Sequence, residues 1–277
     1  MGRVKIPIPR TQLACLYLKE GKPLAAIARI FNCDRVTISN RLKEFGFPQR
    51  AKSEALMRYK KFDFRGDNVE KAYLIGFRLG DLNVYKTVPT AKTIVVRCHT
   101  TSKDQVNLIN KLFSNYGQVT ISKTRENKYQ VNCFLNDSFD FLLPKGDFVT
   151  SWIKTSDKYS GAFIGGYIDA EGCFMINQGR ARLQIDSYDR EILRFIHRWF
   201  SKNRIISKYK LLYRKGSSRG GGLTWRGSLY RVNVNDAASL LRALSLLGPW
   251  IKHKKRLADI KIVKNNILER IRQGHVE

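Results

Sequence analysis

Asp81 and Glu171 each close an apolar run with glycines inside it: YLIGFRLGDL from Tyr73 to Leu82, and FIGGYIDAEGCF from Phe163 to Phe174. A carboxylate at the C-terminal end of a helix sits where the helix dipole is already negative, an unfavourable place unless a cation stands close by. Gly76 and Gly80 lie one turn apart on the first run, as do Gly166 and Ala170 on the second, so each helix would carry a face almost without side chains. Two such faces can pack backbone against backbone, which brings Asp81 and Glu171 together at one end of the pair. Like charges so placed raise a pKa unless divalent ions hold both groups ionised. Oxygen-only donors of this kind suit Mg2+.

The surroundings of the two runs repeat as well. After Asp81 the pattern predicts strand, turn and strand to Thr100, a helix over 102–114, a hairpin over 118–135 and a short helix over 137–143. The same αββαββα order recurs after a bridge around 144–160, with Thr101-Ser102-Lys103-Asp104 set against Asp186-Ser187-Tyr188-Asp189 and Tyr129-Gln130-Val131-Asn132 against Tyr230-Arg231-Val232-Asn233. The second hairpin is longer, running over 204–234 around the tip GSSRGGG.

The two apolar strings resemble the LAGLIDADG signature of homing endonucleases, whose eighth position falls on Asp81 in one copy and Glu171 in the other. Leu79 and Leu82 depart from the signature where the second copy keeps Asp169 and Gly172. The resemblance implies an α+β fold of two pseudo-symmetric repeats whose sheets form a DNA-binding saddle. It implies that Asp81 and Glu171, with the preceding Gly80 and Ala170, hold metal ions that activate water and steady the leaving oxygen, one acid facing each strand. Mg2+ is the expected ion, and Mn2+ or Ca2+ could occupy the same site. A supporting lysine is implied too; register in GPWIKHKKRLADIKIV places it on Lys254, with Lys252 and Lys255 beside it. The matching SWIKTSDKYS has Ser156 at that register, so either Lys154 or Lys158 substitutes or the two half-sites differ in rate.

Lysine and arginine number 51 against 23 acidic residues, a formal charge of +28 spread along folded-looking sequence, and nucleic acid is the first partner this suggests. Five scattered cysteines without a CxxC pair give no disulfide framework or zinc pattern, and the four histidines show no metal-ligand spacing. No apolar stretch approaches a membrane span, and the first residues MGRVKIPIPR lack the apolar core of a secretory signal. An intracellular protein is expected, in the cytoplasm or nucleoid of a prokaryote or in an organelle.

Between Thr11 and Phe47, three short helical patterns broken at 21–23 and 32–34 resemble a helix-turn-helix module. Leu24, Ile27, Ala28, Phe31, Ile38, Leu42 and Phe45 would form its core, Asp34 would cap the third helix, and Arg35, Thr37, Asn40 and Arg41 would face outward toward DNA. A three-helix cap packed on the rest of the chain would give the same pattern. The expected division is a helix-turn-helix module over 1–50, a linker over 51–70 with a short helix near 54–60, a first repeat over 71–150 and a second over 151–277.

Strand alternation nominates base and phosphate contacts. Arg180, Arg182 and Gln184 fall opposite Ala181, Leu183 and Ile185, with Val95, Arg97 and His99 as their first-half counterparts; Gln130 with Asn132, and Arg231 with Asn233, alternate with apolar neighbours in the later strands. A solvated sheet face would alternate in the same way. Lys208 and Lys210, with Arg214, Lys215, Arg219 and Arg226, would supply phosphate contacts along the long hairpin.

These readings converge on a monomeric, site-specific endonuclease acting on double-stranded DNA, making Mg2+-dependent double-strand breaks with staggered 3′ overhangs. The start at Met and the end GHVE match no intein splicing block, so a free-standing or intron-encoded enzyme is expected. The rival readings are an RNA maturase assisting intron splicing, with intron RNA as partner, and a non-cleaving transcription regulator on the same scaffold.

Overall fold

The computed structural model describes residues 6–49, 59–221 and 223–274. Pro9 and Pro23 stand just before two helix starts and Asp34 accepts the Thr37 amide at 2.7 Å before a third, so the N-terminal segment winds into α1 (Arg10–Ala14, continuing as a wider π-type coil over Cys15–Lys19), α2 (Leu24–Ile30) and α3 (Arg35–Glu44). Leu13, Ile27, Ile38 and Leu42 are fully buried between them. These helices lie in one compact unit, residues 1–58; residues 59–277 form another.

The larger unit begins earlier than composition suggested. The expected linker 51–70 covers residues 59–67, which are bound to the first repeat: Phe62 N–H donates to Tyr116 O and Phe64 N–H to Ser138 Oγ, both at 2.8 Å, and the Phe64 ring packs on Tyr116, Phe139 and Phe141. The short helix expected near 54–60 falls mostly outside the described residues.

Asp67 then accepts the Val69 and Glu70 amides and starts α4 (Asn68–Asp81). There follow β1 (Asn83–Lys86), β2 (Ile94–Thr100), α5 (Lys103–Phe113), β3 (Gln118–Lys123), β4 (Tyr129–Leu135) and short 3-10 turns at Asp137–Leu142 and Ser151–Thr155. The second repeat runs through α6 (Asp157–Glu171), β5 (Gly172–Asn177), β6 (Arg180–Ser187), α7 (Arg190–Lys202), β7 (Lys208–Tyr213), a small hairpin of β8 (Ser218–Gly220) and β9 (Leu223–Thr224), β10 (Leu229–Val234) and α8 (Ala237–Leu247), and ends in α9 (Lys254–Arg272). Each repeat makes a four-stranded antiparallel sheet in matching order, β1-β2-β4-β3 and β5-β6-β10-β7.

Pairing corrects the internal alignment by two residues. Asn83 pairs with Arg97 and Cys173 with Gln184, while Arg97 pairs with Asn132 and Gln184 with Asn233. Gln184 is therefore the counterpart of Arg97, and Asp186 of His99; likewise Ser102 and Asp189 both stand immediately before a helix. The β5–β6 connection is a tight turn, where Gln178 and Gly179 take φ of 51° and 72°, the left-handed pair a two-residue hairpin requires; the first repeat uses the longer stretch 87–93.

One face of each sheet is sealed against the helices. Ala181, Leu183 and Ile185 are buried on β6 and Val131, Cys133 and Leu135 on β4, and the polar residues between them stay partly open. The predicted alternation is therefore present on β4 and β6, whereas on β2 Val95, on the same face as Arg97 and His99, is buried. Among the described residues no helix is long and apolar enough to cross a membrane.

Candidate active site at the helix tips

Along the α4–α6 seam the missing side chains are a steric requirement. A Cβ on Gly76 would strike the Phe163 carbonyl oxygen and one on Gly166 the Tyr73 carbonyl oxygen, a reciprocal pair of backbone approaches. At the end of the seam a Cβ on Gly80 would meet the Ala170 methyl and come within 3.0 Å of Glu171 Cγ. Tyr73 stacks on Phe77 at 6.2 Å and Phe163 on Tyr167 at 6.4 Å, so the aromatic lining is duplicated too. Asp81 and Glu171 close the two helices side by side, as the glycine spacing predicted.

Their electrostatics differ in cause from the sequence expectation. Burial is the leading influence on both: it lifts Asp81 to about 6, against a lowering by the Gln105 hydrogen bond and the Arg256 charge. Burial lifts Glu171 to about 7, helped by the charges of Asp81 and Asp189 and opposed by Arg256. Repulsion between the acids is thus real but second to desolvation, although Asp81 keeps one side open to solvent.

Two supporting residues were not visible in the sequence. Gln105, only 5% exposed on α5, donates Nε2 to Asp81 Oδ2 at 2.8 Å. A glutamine on the same stripe as buried Ile109 and Leu112 was the available signal. Arg256, two residues beyond Lys254, is the cation whose field reaches Asp81, Asp169 and Glu171, and its Nε is buried without a hydrogen-bond partner. Lys254 is exposed at the first position of α9. Lys154 and Lys158 flank the start of α6, about 20 Å along the helix from its acid tip at ~1.5 Å per residue, so neither replaces the lysine at the first half-site.

Asp169, the acid that the first copy replaces with Leu79, is 1% exposed and faces inward. Its Oδ2 accepts Tyr73 Oη–H at 2.7 Å and the backbone amides of Lys252 at 2.7 Å and His253 at 3.1 Å, pinning the start of α9 beside the seam. The first copy has a different device. Arg78, 2% exposed, donates Nε to Leu142 O at 2.7 Å and Nη1 to Leu82 O at 3.1 Å, fixing the residue after Asp81. Leu82 and Gly172 both take extended backbone, φ −104° and −78°, so the signature's final glycine is not needed for a left-handed turn there.

The donor set fits a hard divalent ion: two carboxylates that burial pushes toward protonation, Glu171 with the added push of the Asp81 charge, a condition a dication relieves. Among the described residues no three His, Cys, Asp or Glu side chains converge. Further donors would come from backbone carbonyls such as those of Gly80 and Ala170, from water and from substrate oxygens.

The nominated contact residues fall into three groups. Arg180, Arg182, Gln184, Arg231 and Asn233 share the open face of the second sheet, with Lys208 opposite Asn233 and Lys210 opposite Arg231. Arg97, His99, Gln130 and Asn132 share that of the first, where Arg97 Nε already donates to Asn132 Oδ1 at 2.8 Å, while Val95 is buried. On α3, Arg35 and Asn40 are exposed and Thr37 partly so, and Arg41 is engaged by Glu44 at 2.6 Å and the Ile6 carbonyl at 3.2 Å. Trp225 stacks on Tyr213 at 4.4 Å under the Arg219 guanidinium.

Two like repeats, each a glycine-faced helix ending in an acid and followed by an antiparallel four-stranded sheet, define the LAGLIDADG type of α+β fold. Residues 158–248, within the second repeat, match the family model described as a LAGLIDADG-like domain. No curated protein matches the chain. Solved structures that it resembles include the homing endonuclease I-DmoI in complex with DNA and Ca (17% identity over 70% of this chain and 99% of that one, TM-score 0.48). Another is I-WcaI bound to its DNA recognition sequence (12%, 67% and 83%, 0.46). A third is full-length DUF199/WhiA from Thermatoga maritima (15%, 76% and 63%, 0.46).

Proposed function

We propose that the chain is a site-specific DNA endonuclease, acting as a monomer, that makes divalent-metal-dependent double-strand breaks with staggered 3′ overhangs at a long target site. The observation that carries this reading is the meeting of Asp81 and Glu171 at the tips of two glycine-faced helices, each tip leading directly into a sheet with an open polar face. A charge of +28 supports a polyanionic substrate.

In this reading the duplex lies along the two open sheet faces, which position the scissile phosphates over the seam. Mg2+, or Mn2+ in its place, would be held by Asp81 and Glu171 with help from the Gly80 and Ala170 carbonyls, and when bound supplies an activated water and charge stabilisation at phosphate. Gln105 keeps Asp81 in one rotamer with its second oxygen free. Arg256 supplies positive charge beside both acids, offsetting the negative charge that develops on phosphate, a role shared with Lys254 once DNA is present. The helices α1–α3 would add contacts through Arg35, Thr37, Asn40 and Arg41.

The test is incubation of purified protein with Mg2+ and a library of duplex sites. Sequence-specific double-strand cleavage is expected, and Asp81→Asn or Glu171→Gln should lower it by about a thousandfold, the upper range for losing one electrostatic catalytic group, with DNA affinity kept within about tenfold. Tight binding without cutting by the parent protein would favour a regulator. Activity confined to intron RNA splicing would favour a maturase.

A further inference from the structure

The open face of the second sheet carries an acid in a bonded position. Asp186 on β6 lies opposite Arg231 on β10, which lies opposite Lys210 on β7. Arg231 donates Nε to Asp186 Oδ1 at 2.6 Å and Nη2 to Oδ2 at 2.5 Å, and Gln184 donates Nε2 to Oδ2 at 3.0 Å. The two charged side chains are 26% and 29% exposed, which leaves them reachable but held. The matching row of the first sheet sets His99 against Gln130 and has no acid.

A carboxylate on a surface that meets DNA repels phosphate and so lowers affinity. Its compensating effect is geometric. Pairing occupies the Nε–Nη2 edge of the guanidinium, so Arg231 cannot turn that edge to a phosphate. The other edge, Nη1–H and the second Nη2–H, remains, and this two-donor fork is the one that matches O6 and N7 of guanine in the major groove. We propose that Asp186 is a specificity-determining residue: it fixes the Arg231 guanidinium so that its free edge reads one guanine, and it keeps phosphate away from that row of the sheet. The inference rests on the sheets being the DNA-facing surface.

Binding selection from a randomised duplex library, followed by sequencing, tests it with the full chain and does not require cleavage. Wild-type protein should select G at one position, and Asp186→Ala and Arg231→Met should each reduce that preference by about tenfold, the low end for losing one bidentate base contact. Asp186→Asn, which keeps an acceptor, should retain part of it. Affinity for random duplex should hold or rise in Asp186→Ala. An unchanged base profile in Asp186→Ala, or a uniform loss across all positions, would overturn the assignment, with thermal melting confirming that the variant is folded. A wild-type protein with no preferred sequence would overturn the DNA-reading function as well; a wild-type preference that survives Asp186→Ala would overturn this inference alone.

Discussion

The two repeats are nearly interchangeable where they touch and different where each meets its own surroundings. At the seam, Gly76 and Gly166 allow reciprocal backbone contacts and the stacked aromatic pairs coincide. One step outward the duplication ends. The first tip is braced by buried Arg78 and by Gln105, and the second by the anchoring of α9 on Asp169. The contrast teaches that the shared requirement is close approach of two acid-bearing backbones, and that the means of holding each tip was free to diverge.

The seam should give the largest effect. Gly76→Ala or Gly166→Ala forces a methyl into a carbonyl oxygen of the facing helix, which cannot yield without separating the pair. A loss of about 3 kcal/mol or more is expected in chemical denaturation, at the upper end for overpacking. The paired exchange Gly80→Ala with Ala170→Gly only swaps which helix carries the methyl and should stay near wild type. Equal stability of Gly166→Ala and wild type would show that the two helices do not meet as described.

Making the second tip resemble the first comes next. Asp169→Leu copies the first repeat and removes the acceptor for Tyr73 and two backbone amides, which should cost about 2 kcal/mol and expose the start of α9 to proteolysis. Limited digestion that leaves α9 as protected as in the parent would argue against this anchor.

The smallest effect is on pH dependence. With their folded pKa values raised from 3.8 to about 6 and from 4.5 to about 7, Asp81 and Glu171 bind protons more tightly in the folded state. Their contribution to stability is complete below about pH 4 and is lost as pH rises through 6 to 7. In chelator the melting temperature should therefore fall across that window, Asp81→Asn and Glu171→Gln should each flatten the fall, and Mg2+ should restore the melting temperature at pH 8. A metal-free protein that melts identically at pH 5 and pH 8 would contradict the raised pKa values of these acids.

Much of this was legible in sequence because it depends on period and on residue type. Glycines one turn apart announced the seam, acids at the run ends announced the tips, and strict alternation in ARLQIDS gave the sheet face. Long-range partners were not legible. Nothing local in the chain tells that Gln105 reaches Asp81 or that the charge of Arg256 acts on both acids, because those distances follow from how α5 and α9 pack on the seam. The repeat alignment slipped by two residues because like residue types, Arg97 with Arg182 and Ser102 with Ser187, do not stand on like rows, and only backbone pairing identifies the rows.

The two sheets keep one register across turns of unequal length, yet rows that share one backbone position carry unlike chemistry: imidazole and carboxamide on one side, guanidinium and carboxylate on the other. In the DNA-cutting function proposed for the chain, arms so unequal would favour a target with dissimilar flanks over an inverted repeat.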